Sequence, residues 1–115
     1  METPRETAER YFKLSNEHQM EEIAAMFSEE TVYISANTGT NIGKDAIMNM
    51  MRPFHEAFTE LHWDVRSIEE TDPNTFLFDF TMTGTKKTGE AIIAEGLEYV
   101  TINNGTIARI EIQNK

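Results

Sequence analysis

At about residue 60 the apolar residues of this chain change their spacing, and the change divides the fold into two kinds of structure. Before it, Ile47, Met50, Met51, Phe54 and Phe58 recur at three- and four-residue intervals, the spacing of one helix face. After it, Leu61, Trp63 and Val65, then Phe76, Phe78, Phe80 and Met82, occupy every second position, the spacing of one strand face. The period of 2 persists to the end of the chain. Helices followed by a run of strands joined by short turns predict an α+β domain.

The punctuation supports this division. Thr3-Pro4-Arg5-Glu6 offers a capping hydroxyl, a proline at the first helical position and a glutamate three residues after the cap, so a first helix is predicted from there. Its least polar stripe is Ala8, Tyr11, Phe12 and Ser15. Met20, Ile23, Ala24 and Phe27 predict a second, short helix, and KDAIMNMMRPFHEAF (44–58) a third that Pro53 should kink or shorten. TVYIS (31–35) reads as a short strand and ANTGTNIG (36–43) as the loop after it. Four long strands are predicted after the helices, divided by TDPN (71–74), KKTG (86–89) and the hairpin turn NNG (103–105). Amphipathic helices must bury their apolar faces against one side of that sheet. A cone-shaped barrel of three N-terminal helices on a curved, mostly antiparallel sheet would leave an apolar space suited to a small molecule.

With 115 residues, of which 39% are hydrophobic, the chain is expected to form a single domain over 1–115. Twenty acidic against ten basic residues, net −10, disfavour nucleic acid and anionic membranes as partners. There is no cysteine, and therefore no disulfide, thiolate nucleophile or cysteine metal site. METPRETAER is charged where a signal peptide would be apolar, and no apolar run reaches the roughly 20 residues of a membrane span, so a cytoplasmic, unprocessed protein is expected. His18, His55 and His62 show no helical metal-binding spacing and read as solvated side chains; no metal and no cofactor are predicted.

One residue breaks the strand pattern of EAIIAEGLEYVTI (90–102). Ile92, Ala94, Gly96, Val100 and Ile102 form an apolar face, and Glu98 lies on it. A carboxyl group there is costly unless protonated or partnered. On the opposite face Ile93, Leu97 and Tyr99 make an outer apolar patch.

ERYF (9–12), IAAMFSEETVYI (23–34), NIGKDAI (41–47), DVRSI (64–68) and the terminal strands, in this order and spacing, resemble the nuclear-transport-factor-2-like superfamily, in particular its SnoaL-like and ketosteroid-isomerase-like proteins. The resemblance implies a homodimer through the outer sheet face. It also implies that Tyr11 and Glu98, as catalytic residues, match the tyrosine and protonated acid that steroid isomerases of this fold use as oxyanion donors. The third member of that set, a carboxylate base after the first strand, has no counterpart: its position corresponds to Ile34, and no Asp or Glu occurs between Glu30 and Asp45. The pocket is expected to be lined also by Phe27, Met51, Phe54, Trp63, Phe78 and Phe80. The expected function is binding of a small hydrophobic molecule, possible without catalysis. The alternative is an isomerase, cyclase or dehydratase type of enzyme acting on a small carbonyl or polycyclic compound, with Tyr11 and Glu98 polarising its oxygen.

Overall fold

In a computed structural model describing residues 1–115, the chain runs α1 (Pro4–Asn16), α2 (Met20–Ala24), β1 (Phe27–Ser35), β2 (Gly39–Ile42), α3 (Lys44–Glu56), β3 (Phe58–Asp72), β4 (Thr75–Lys86), β5 (Ala91–Asn103) and β6 (Thr106–Asn114). The three helices precede residue 60 and the long meander β3–β4–β5–β6 follows it, each consecutive pair antiparallel. No helix is long and apolar enough to cross a membrane.

Several local signals act as expected. The Thr3 hydroxyl accepts from the Glu6 backbone amide at 3.1 Å while the Glu6 carboxylate accepts from the Thr3 amide at 2.8 Å, a complete capping box. At its other end α1 closes through His18 in the left-handed region, φ +57°. The amide of His18 reaches the Ser15 carbonyl and that of Gln19 the Leu14 carbonyl, the paired bonds of a Schellman cap with histidine where glycine is usual. Pro53 does not stop α3, which continues to Glu56.

The N-terminal half departs from expectation in one connected way. The second helix ends at Ala24 rather than reaching Phe27, and β1 begins at Phe27, four residues before the predicted strand. Residues expected as loop form β2, paired antiparallel with β1 from Ser35↔Gly39 to Val32↔Ile42; Gly39, at φ +82°, makes the turn possible. β1 also runs parallel to β6, Tyr33 opposite Ile110. The result is one mixed sheet in the order β2-β1-β6-β5-β4-β3. Because β2 and β3 are both free edges, the cone is an open sheet and not a closed barrel. Register shifts along β3, between Phe58 and Glu60, Val65 and Ser67, and Glu70 and Asp72, mark the irregularities that bend such a strand.

The core fills the space between helices and sheet. Ala8, Phe12, Ile23, Ile47 and Met48 from the helices meet Phe76, Phe78, Val100, Ile102, Ile107 and Ile110 from the strands. Phe12 stacks on Phe78 with ring centroids 4.2 Å apart.

Candidate functional site

Where the packing stops short of one end of the sheet, a cavity of about 350 Å³ remains. Tyr11 and Ser15 come from α1, Tyr33 and Ser35 from β1, Met50, Met51, Phe54 and His55 from α3, Trp63 from β3, Phe80 and Met82 from β4, and Glu98 from β5. The wall is mostly apolar, with a few polar groups deep inside, the usual make-up of a small-molecule site.

Two local devices shape it. Asn16, at the end of α1, donates to the Trp63 carbonyl at 3.0 Å and accepts from the Trp63 amide at 2.7 Å, which pins helix to strand at the indole. Opposite, Gly96 is paired with Phe80, and a Cβ at Gly96 would come within 2.7 Å of the Phe80 ring. The missing side chain is what lets the ring lie against the sheet and form wall.

Glu98 is 3% exposed, and its Oε2 has no hydrogen-bond partner. Burial pushes its carboxyl up to about 8, so at neutral pH it is mainly a neutral acid. Tyr11 and Tyr33 are also buried. Burial, and then the nearby Glu98 charge, push both phenols above their ordinary value. The three side chains present hydroxyl donors and, near neutrality, little net charge.

Of the residues expected in the pocket, Tyr11, Met51, Phe54, Trp63, Phe80 and Glu98 line this cavity. Phe27 and Phe78 do not. Both are buried in the core behind it, Phe27 beside Tyr11 with ring centroids 6.1 Å apart and Phe78 beneath Phe12. They share a face with wall residues, but the helices cover that face at their level. Ile34, the position matched to the missing base, is not in the wall either. The inward residues of β1 are Thr31, Tyr33 and Ser35, so alternation turns Ile34 to the other face.

His55, expected to be solvated, is instead part of the wall. It sits half-buried in the last turn of α3, lines the cavity, and has its ring 5.3 Å from that of Trp63. Its Nδ1 lies 3.0 Å from Nδ1 of the exposed His18. Burial, with His18 second, lowers its affinity for protons to a pKa of about 4. No spacing in the sequence signals this pair, since 37 positions separate its members. His62 is exposed, as expected.

Helices packed on one face of an open mixed sheet, around an apolar cavity with a buried acid and two phenols, define a cone-shaped α+β class. The chain belongs to the SnoaL-like domain family, whose model matches residues 8–110. No curated protein matches it at a significant level. Among solved structures it resembles a nuclear-transport-factor-2-like protein of unknown function from Burkholderia pseudomallei, with TM-score 0.85, 13% identity, and 100% of this chain and 92% of that one covered. A candidate polyketide cyclase from Xanthomonas campestris pv. campestris gives 0.86 at 13% identity, covering 97% and 90%. A protein with a ketosteroid-isomerase-like fold from Catenulispora acidiphila, solved with trimethylamine, gives 0.83 at 10% identity, covering 96% and 85%. At these identities the likeness is one of fold.

Proposed function

We propose that this protein binds a small hydrophobic molecule by enclosing its apolar body in the cavity and holding a carbonyl, enol or phenol oxygen against Glu98, Tyr11 and Tyr33. The observation that carries this reading is the unpartnered Oε2 of Glu98. A buried polar atom without a partner costs roughly 1–3 kcal/mol, and in an open, apolar cavity a ligand oxygen is the group that relieves it. The Tyr11 hydroxyl is hydrogen-bonded to that of Tyr33, so the donors left for a ligand are the protonated acid and one phenol of that pair, and they favour an oxygen that carries negative charge, as an enolate or phenolate does. An oxygen held in this way is polarised, which is the first half of enolisation, cyclisation or dehydration chemistry.

The test uses 2-cyano-4-nitrophenol, a coloured phenol ionised at neutral pH, titrated into the protein near pH 6. One molecule should bind per chain. Glu98→Gln keeps a neutral donor and should hold affinity within a few-fold. Glu98→Leu removes a hydrogen bond to a charged oxygen, worth about 1.5–3 kcal/mol, and should weaken binding by roughly 10- to 100-fold. Equal affinity in all three proteins would reject the oxygen site.

We also infer that the protein forms a homodimer through the outer sheet face. Ile93 is 77% exposed there, and Leu97 and Tyr99 share its strand parity. Light scattering at micromolar concentration should give twice the chain mass of 13.2 kDa, and Ile93→Lys should return it to the chain mass. A wild-type protein that scatters as a single chain would remove the dimer.

A further inference from the structure

We propose that His55 is the proton-transfer group of this cavity and that His18 connects it to solvent. The proposal rests on the oxygen site above, for which it supplies the second half of the chemistry. A cavity that polarises a ligand oxygen acts on the ligand only if another group removes or returns a proton. The carboxylate that steroid isomerases use has no counterpart on β1, where the wall is formed by Tyr33 and Ser35. His55 lies in the wall, on α3.

The geometry of the pair sets what it can do. An Nδ1···Nδ1 hydrogen bond contains one proton, given by one ring and accepted by the other. When His55 donates, its Nε2 carries a lone pair and is a base; when His18 donates, the Nε2 of His55 carries a proton and is an acid. A proton taken up at Nε2 of His55 can therefore leave through its Nδ1 to His18. Two consequences follow. The positive charge ends on His18, which is exposed and solvated by water, and not on the half-buried ring. Reversing the same steps returns a proton to the ligand.

Other charged groups near the pair are already engaged or exposed. Arg52, one turn before His55, is held by Glu21 at 2.7 Å, and Glu56 is exposed. On β3, Glu60 and His62 are exposed. Glu17, beside His18, is paired with Lys13 at 3.4 Å. Lys86, Glu95, Glu98, Tyr11 and Tyr33 also line the cavity, but only His18 adds to burial in shifting His55, which stays neutral and able to accept a proton at physiological pH.

The probe is 5-nitrobenzisoxazole, a carbon acid that needs only a base. The base removes the proton from C3, the C–H electron pair becomes the third C–N bond, the N–O bond breaks, and its electrons stay on oxygen as 2-cyano-4-nitrophenolate. The proton passes from His55 to His18 and then to water. Turnover should saturate, exceed that of the same concentration of free imidazole, and rise with pH as His55 loses its proton. His55→Gln should lower it by about 10²- to 10⁴-fold, the usual worth of a positioned base, while 2-cyano-4-nitrophenol affinity changes by no more than a few-fold. His18→Gly suits the left-handed backbone at that position, so the fold should hold. Its turnover should fall, its pH profile should move, and added imidazole should restore part of the rate. Unchanged turnover in His55→Gln, or wild-type turnover no better than free imidazole, would overturn the proposal. If Glu98→Leu leaves nitrophenol binding intact while His55→Gln abolishes turnover, the oxygen site fails and the proton-transfer role stands.

Discussion

Between about pH 6.5 and 8 the folded protein should lose on the order of 2 kcal/mol of stability, and Glu98→Gln should abolish that loss. Burial raises the folded pKa of Glu98 from 4.5 to about 8, so across that window the folded state holds a proton that the unfolded state has released. Its contribution is complete below about 4.5 and disappears as the pH rises through 8, at up to about 1.4 kcal/mol per unit. His55 acts in the opposite direction. Its folded value is lowered from 6.5 to about 4, so the unfolded state binds more protons between those values and stability gains with rising pH. That gain should be about 2 kcal/mol once the partial exposure of the ring is discounted.

The two slopes oppose each other between about pH 4.5 and 6.5, which predicts a shallow decline in the wild type that steepens above about pH 6.5. Removing one group exposes the other. Glu98→Gln should gain stability up to about pH 6.5 and then level off, whereas His55→Gln should decline from about pH 4.5 onward. Urea unfolding of the three proteins across this range is the measurement. Parallel profiles for wild type and Glu98→Gln would mean that Glu98 is solvated in the folded state.

Phe78→Ala should cost about 3–5 kcal/mol of stability, a large part of the 5–15 kcal/mol typical of a whole domain. Phe78 is 1% exposed and is stacked on Phe12, so truncation leaves a void that the strand pairs on either side, through Ile68 and Glu98, hold open. Phe80, two residues on and on the same face, borders the cavity, where a void already exists. Phe80→Ala should therefore destabilise less and weaken 2-cyano-4-nitrophenol binding more. Urea unfolding and ligand titration of the two variants separate core from wall; a Phe78→Ala cost below about 1.5 kcal/mol would show that the ring is not closely packed.

The contrast between these two phenylalanines also marks how far the sequence could be read. Strand parity gave the inward face of β4 and β5 correctly, and with it the burial of Glu98, because alternation is a property of each strand alone. The same holds for the Thr3–Glu6 cap and the Asn104–Gly105 hairpin turn, whose partners lie within a few residues of one another. Parity says which face a side chain occupies. It does not say whether a helix covers that face, and so it does not separate Phe27 and Phe78, which the helices bury, from the residues of the wall.

From its own pattern, then, the sequence determined an α+β chain with helices first, a four-stranded meander after them, and a carboxyl group on the inner face of its third long strand. The tertiary structure decided the rest, through contacts between distant segments. β1 acquired its length and inward face from pairing with β6, residues 27–35 against 107–112. Asn16 and Trp63 met because α1 ends over β3, and His18 met His55 because α1 and α3 end at the same rim. Local periodicity records where a side chain points relative to its neighbours in the chain. Which residues of other elements it then meets depends on how the elements pack, and here that packing brought a neutral acid, two phenols and His55 to a single cavity.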